Sequence, residues 1–68
     1  MQWVSVEDRM PSEDDGLEFL VYLESGRYLV AGLTDDEEFL FDYNGQRHRP
    51  RVTHWSKLPP PPKLKRNH

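Results

Sequence analysis

Histidines and carboxylates are the side chains of this sequence best suited to acid-base catalysis or metal binding. His48, His54 and His68 do not have the spacing of metal ligands, and the chain has no cysteine to supply a thiolate. A catalytic pair of carboxylates needs a concave pocket that shifts one pKa, and a chain of 68 residues can build little of one. His54 beside Trp55 is more simply a half-buried structural pair than a catalytic base. The sequence therefore predicts no enzyme activity, no metal site and no cofactor.

Charge is separated along the chain. All twelve acidic residues lie in residues 1–42 against two arginines, a local net charge of −10, whereas residues 43–68 contain seven bases and no acid, a net charge of +7. The two halves either attract each other within the fold or present an acidic and a basic surface to different partners. The densest acidic run is Asp35-Asp36-Glu37-Glu38. We predict that these four residues, with adjacent exposed aromatic side chains, form a partner-binding surface.

The middle of the chain has the pattern of an antiparallel β-meander. Three segments are rich in strand-forming residues and are separated by polar turns, namely 17–23, 28–33 and 39–43. The Asn44-Gly45 pair predicts a further turn, followed by a basic loop. The segment 52–55 predicts a fourth strand at the sheet edge. The predicted fold class is therefore mostly β, a small antiparallel β-meander of three to four strands.

The face pattern also predicts a register. A two-residue loop at Ser25-Gly26 pairs Glu24 with Arg27 and Val21 with Val30. A turn centred on Asp35-Asp36 then places Gly32 between two aromatic rings, those of Phe19 and Phe39. In this register one face collects six apolar side chains: Leu17, Phe19, Val21, Leu23, Tyr28 and Val30. The opposite face is also too apolar for open solvent, so a further part of the chain must cover it.

Both ends of the chain are marked by proline and tryptophan. Pro11 prevents a long helix near the N-terminus, and Leu58–Pro62 favours polyproline II. We predict that the termini pack on one sheet face, with Trp3 and Trp55 both largely buried. Pro59 or Pro60 is expected to touch one of these indoles. The predicted organisation is a single small domain over residues 1–62, followed by a basic disordered tail at residues 63–68.

Two absences bear on location. No apolar run approaches the roughly 18 residues of a membrane-spanning helix. The first residues have neither the basic nor the apolar region of a signal peptide. The expected location is therefore the cytoplasm, without membrane attachment.

The two ends of the chain also resemble a known family. Residues 3–11 read Trp-Val-Ser-Val-Glu-Asp-Arg-Met-Pro, and residues 53–62 read Thr-His-Trp-Ser-Lys-Leu-Pro-Pro-Pro-Pro. They are similar to the opening W-[IV]-S-V-x-x-R-[LM]-P and the closing T-H-W-x-x-L-P-x-P-P of a short phage and prophage domain of unknown function. Lys57 departs from the family, which often has proline there, and the acidic stretch 34–38 replaces a shorter glycine-containing turn.

The resemblance implies a phage or prophage accessory protein of the bacterial cytoplasm, and it implies no activity. The motif residues have a structural interpretation, because a small domain must join its two ends across one sheet face. We therefore predict a structural role for six residues: Trp3, Arg9, Pro11, His54, Trp55 and Pro59.

Two functions remain open from the sequence. The first is binding to a host or phage protein, including stoichiometric inhibition or modulation of a host defence machine. The second is a nucleic-acid-related role, either by acidic mimicry of DNA charge or by binding through the basic residues Arg47, Arg49, Arg51 and Lys63–Arg66. A third interpretation is a purely structural accessory domain.

Overall fold

The computed structural model describes residues 2–59, in which β-strands dominate the regular structure. The strands, in chain order, are β1 (Val4–Ser5), β2 (Glu18–Leu23), β3 (Tyr28–Leu33), β4 (Phe39–Tyr43), β5 (Gln46–His48) and β6 (Val52–Lys57). A short 3-10 turn occupies Glu13–Asp15. The strands form one antiparallel sheet in the order β1-β6-β2-β3-β4-β5. The mostly β fold is confirmed, with six strands where three to four were predicted.

The predicted hairpin between β2 and β3 is present, but its register is shifted by one residue. Val21 pairs with Leu29, so the predicted pairing of Val21 with Val30 is wrong. A shift of one residue exchanges the two faces of β3, so the side chains predicted to face the core lie on the opposite side of the sheet. Tyr28 and Val30 are exposed, and Ala31 is buried in their place.

The length of the loop explains this shift. The loop has three residues, because the Leu23 N–H donates to the Arg27 carbonyl and Gly26 N–H donates to the Leu23 carbonyl, both at 2.8 Å. Gly26 has a φ of +90°, the left-handed conformation that ends a type I turn and its bulge in such loops. Glu24 therefore lies in the loop and does not pair with Arg27.

The hairpin between β3 and β4 shows the same one-residue difference. Gly32 pairs with Leu40 on one side and with Glu18 on the other. The predicted position of Gly32 between Phe19 and Phe39 is therefore wrong. Thr34 N–H donates to the Glu38 carbonyl at 2.8 Å, which again leaves a three-residue loop.

The third hairpin follows the predicted turn. Asn44 and Gly45 have φ values of 51° and 76°, as a type I′ turn requires, and Tyr43 pairs with Gln46. The chain is thereby directed straight back along β4. Residues 46–48 form strand β5, where the sequence predicted the start of a basic loop.

The last strand has an unexpected position. β6 lies between β1 and β2, with Trp55 paired to Val4 on one side and to Val21 on the other. The prediction of an edge strand at residues 52–55 is therefore wrong, because the N-terminal segment adds its own strand beyond β6. The β2–β6 pairing contains one irregularity, between Tyr22 and Leu23.

The core lies on one face of the sheet. Its buried hydrophobic side chains are Phe19, Val21, Ala31, Phe39 and Trp55. The chain between β1 and the 3-10 turn crosses this face: Val6 and Met10 pack against the core, and Pro11 is buried. We call this covered side the closed face and the other side the open face.

The closed face corresponds in part to the predicted packing of the termini. The N-terminal segment packs on a sheet face, whereas the C-terminal strand lies within the sheet. The predicted tail at 63–68 and the residues 60–62 of the predicted polyproline II segment lie outside the described residues. Between residues 2 and 59, no helix has the length and apolar character needed to cross a membrane.

Candidate partner-binding surface

Three aromatic rings meet on the open face. Tyr22 pairs with Tyr28 across β2 and β3, and their ring centroids are 5.1 Å apart. Trp3 approaches both tyrosines, with centroid distances of 6.0 Å to each. Together with His54, which pairs with Tyr22 from β6, the three rings line a cavity of about 200 Å³. We call Trp3, Tyr22, Tyr28 and His54 the aromatic cluster.

The aromatic cluster is accessible to solvent. Tyr28 is 64% exposed and Trp3 is 38% exposed. Val30 lies two residues beyond Tyr28 on the same side of β3 and is 46% exposed. Residues 2–59 therefore leave a substantial apolar surface uncovered on the open face.

The predicted acidic site forms the loop between β3 and β4. The Thr34 hydroxyl accepts hydrogen bonds from the backbone N–H groups of Asp36 and Glu38, at 3.2 and 3.1 Å. These bonds hold the loop, and Glu37 occupies its left-handed position with a φ of 61°. Asp35, Asp36 and Glu37 are exposed, whereas Glu38 is half-buried.

One acidic side chain of this loop is paired. Glu38 Oε2 lies 3.3 Å from Arg49 Nη1, an ion pair on the surface. The aromatic residue next to the loop, Phe39, is only 6% exposed, so it does not provide the exposed aromatic neighbour that was predicted. The loop and the aromatic cluster lie at opposite ends of β3, about 17 Å apart along a strand that rises about 3.3 Å per residue.

On the closed face, Trp55 joins the two ends of the chain. Its side chain is 1% exposed, as predicted, and its Nε1–H donates to the Arg9 carbonyl at 3.0 Å. The guanidinium of Arg9 lies 4.9 Å from the centre of the indole ring, a cation–π contact. The opening and closing motifs are therefore in direct contact through Arg9 and Trp55.

Asp15 extends this contact into an ionic bridge. Its carboxylate lies 3.1 Å from Arg9 Nη1 and 3.4 Å from Lys57 Nζ, and it accepts a hydrogen bond from Ser12 N–H at 2.9 Å. The hydrogen bond from Arg9, followed by that from the Ser12 backbone, holds the pKa of Asp15 well below its ordinary value. Asp15 thus links the N-terminal segment to the end of β6.

The other motif residues divide between the two faces. The prediction that Trp3 is largely buried is wrong, because its ring lies on the open face. His54 is half-buried, as predicted, with Nδ1 3.0 Å from the Thr53 hydroxyl. Pro59 and Trp55 line the same cavity of about 630 Å³, and a direct contact between them stays a prediction. Pro60 lies outside the described residues.

Several important residues were not singled out from the sequence. Asp15 is one of many charged residues and Lys57 was noted only as a departure from the family, and nothing in their spacing along the chain indicates that they meet. Tyr22 and Tyr28 follow from strand alternation, but only once the length of the hairpin loop is known. Among residues 2–59, no group of three histidine, aspartate or glutamate side chains is placed to hold a metal ion.

The chain is similar to a known protein family and to a phage protein. A family model described as "Protein of unknown function (DUF551)" matches residues 2–63. The "Eaa protein" of Salmonella phage P22 is 33% identical over 63 residues, which cover 88% of this chain and 19% of that protein. This chain therefore spans about one fifth of the length of that relative. No solved structure matches the chain.

Proposed function

The chain belongs to the DUF551 family of proteins of unknown function, and we propose that it is a non-enzymatic phage or prophage accessory protein that acts by binding another protein. The partner is a host or phage protein in the bacterial cytoplasm, and the binding modulates or inhibits a host machine. The phage relative supports the biological setting. The single observation that carries the binding role is the exposed aromatic cluster.

The aromatic cluster has the composition of a binding hot spot. Tryptophan and tyrosine are enriched among the residues that dominate the energy of protein interfaces, because they offer large apolar surfaces with few rotatable bonds. Here Trp3 and Tyr28 are exposed beside Val30, so contact with a partner would remove apolar surface from water. The same surface contributes little to the core of the described fold.

The acidic loop has a secondary role in this proposal. A typical interface covers about 800 Å² on each partner, which is wide enough to include both ends of β3. Asp35, Asp36 and Glu37 are exposed and would lie at its rim. Charges at a rim mainly steer association and affect the on-rate, so we propose that the partner presents a basic surface near this loop.

The nucleic-acid hypothesis has weaker support. Two of the three arginines in the stretch 47–51 are paired with acids, Arg49 with Glu38 at 3.3 Å and Arg47 with Asp42 at 3.9 Å. Proteins that bind single-stranded nucleic acid combine exposed aromatic rings with positively charged side chains around them. Here the two paired arginines lie on the β4–β5 side of the sheet, away from the aromatic cluster.

The test is capture of a partner from a bacterial lysate, followed by mass spectrometry and a binding assay with the purified partner. Tyr28→Ala should weaken binding by about tenfold or more, the effect of losing an interface hot spot. Tyr43→Ala is the matched control, because Tyr43 is 63% exposed and Tyr28 is 64% exposed. Tyr43 lies at the end of β4, outside the cluster.

A second set of variants tests the acidic loop. Reversing the charges of Asp35, Asp36, Glu37 and Glu38 should slow association and remove most of its salt dependence. Reversal of four other exposed acids is the control for net charge, namely Glu7, Asp8, Glu13 and Asp14. For the first pair of variants, equal affinity of Tyr28→Ala and Tyr43→Ala for the partner would show that the aromatic cluster is not the binding surface.

A further inference from the structure

We propose that the aromatic cluster binds the proline-rich segment Leu58–Pro62 of a second copy of this chain. This inference rests on the proposed function, because it names a ligand for the same surface. It goes further in giving the ligand a definite chemistry, that of a polyproline helix. A partner protein would then compete with the second copy for the same rings.

The geometry of the cluster suits a proline-rich ligand. Proline-rich segments dock into grooves lined by aromatic rings, with the flat pyrrolidine rings packed against them. Trp3, Tyr22 and Tyr28 have centroids 5.1 to 6.0 Å apart around an open cavity. A polyproline helix makes no internal hydrogen bonds, so its carbonyls need donors, which the tyrosine hydroxyls can supply.

The direction of β6 argues that the ligand comes from another copy. His54 lies in the cluster, whereas Lys57 pairs with Phe19, three residues or about 10 Å further along β6. Pro59 then lines a cavity with Arg9 and Trp55, away from the cluster. Each proline fixes φ near −65° and disfavours the α region for the residue before it, so a run of prolines favours an extended chain, and we therefore assign the ligand to another copy.

Charge favours the same association. Residues 2–59 contain twelve acids and six bases, a net charge of −6, whereas residues 60–68 contain three bases and no acid, a net charge of +3. The sequence that follows the prolines is therefore attracted to the folded part of another copy. The hairpin end beside the cluster contains one acid and one base, Glu24 and Arg27, so the attraction comes from the net charge of the whole folded part.

The experiment is sedimentation velocity of the full chain over a wide range of concentration. The parent protein should show concentration-dependent dimers. Tyr28→Ala, which removes part of the cluster, and the triple variant Pro60→Ala, Pro61→Ala, Pro62→Ala should each weaken self-association by about tenfold or more. Tyr43→Ala should dimerise like the parent. Circular dichroism of each variant shows whether it remains folded.

Mixing the two variants provides the decisive measurement. The Tyr28 variant still carries prolines and the proline variant still carries an intact cluster, so the mixture should form a heterodimer that neither variant forms alone. Dimers that survive the loss of prolines would overturn the inference in favour of direct packing between open faces. A parent protein that stays monomeric would also overturn it. In both cases partner capture by the parent, lost in Tyr28→Ala, would still support the proposed function.

Discussion

The two faces of the sheet contain similar side chains in very different surroundings. The closed face buries Phe19 and Trp55 edge to face, with ring centroids 5.5 Å apart, beneath the N-terminal segment. The open face also brings aromatic rings together at 5 to 6 Å, but leaves Tyr28 mostly exposed. Aromatic content alone therefore does not identify the core, and coverage by another part of the chain does.

This difference separates stability from binding. In a chain of 68 residues, one covered face supplies most of the apolar burial that offsets the loss of conformational entropy. The open face is left available for contact with another molecule. If this division is correct, substitutions on the closed face should lower stability, and substitutions on the open face should affect binding.

The largest contrast is expected between the two tryptophans. Trp55→Ala should cost about 3–5 kcal/mol, which is comparable to the whole stability of so small a domain, and should unfold most molecules. Trp3→Ala removes a side chain that is 38% exposed and should leave the protein folded. Thermal unfolding followed by circular dichroism measures both. A Trp3 variant that unfolds like the Trp55 variant would show that the open face also holds the fold together.

The second expected effect concerns the ionic bridge of Asp15 with Arg9 and Lys57, which links the N-terminal segment on the closed face to the end of β6. Asp15→Asn should lower the melting temperature at neutral pH, because the amide cannot pair with Arg9 and Lys57 as the carboxylate does. The pKa of Asp15 is lowered in the folded state, so the unfolded state takes up a proton first as the pH falls. The contribution of Asp15 is therefore complete above its unfolded pKa of about 4 and declines below it.

The measurement for this bridge is the melting temperature of both proteins from neutral to acidic pH. The difference between parent and Asp15→Asn should shrink as the pH falls below about 4. Asp14→Asn, at the exposed neighbouring position, is the control and should melt like the parent. A constant difference between parent and Asp15→Asn at every pH would contradict the ionic role of Asp15.

A matched pair of valines gives the third contrast. Val21 is fully buried on the closed face, and Val30 is 46% exposed on the open face of the neighbouring strand. Val21→Thr should cost about 1–3 kcal/mol, since it buries a hydroxyl in an apolar core. Val30→Thr should change stability by less than about 0.5 kcal/mol. Urea unfolding of the two variants compares them, and equal losses would contradict the division between the faces.

The smallest effect lies in the loops at the two ends of β3. Glu37→Gly should raise the free energy of unfolding by about 0.5 kcal/mol, because glycine adopts a φ of 61° without steric strain but loses more entropy on folding. Gly26→Ala is the counterpart in the other hairpin and should lower stability. A new Cβ there would lie 3.8 Å from the Tyr22 hydroxyl, so space does not limit it. Chemical denaturation with both variants checks the opposite signs.

The sequence was informative about which segments form strands but not about their alignment. The hairpins at residues 17–43 follow from strand-forming residues and turn signals. The register of the first hairpin depends on whether Ser25-Gly26 is the whole loop or the last two residues of a three-residue loop. A glycine at position 26 is compatible with both loop lengths. Every residue from Tyr28 to Leu33 is apolar or glycine, so β3 offers no polar alternation that would select one face.

Contacts between distant parts of the chain were the least predictable. The motif residues Arg9 and Trp55 were expected to join the ends, and the structure brings them together. Asp15 is one of twelve acids, so its pairing with Arg9 and Lys57 follows from the folded arrangement and not from local sequence. The aromatic cluster was missed for the same reason, since Trp3 was expected on the covered side.

The central position of β6 also determines when the domain can fold. β6 is the last described strand to leave the ribosome, yet it holds β1 and β2 together from the middle of the sheet. Its partners lie about 30 to 50 residues earlier, so folding must close long loops before the sheet is complete. Until β6 emerges, β2 has an unpaired edge and the core lacks Trp55. Folding of the domain is therefore expected to wait for β6, and chain termination before Val52 should leave an aggregation-prone product.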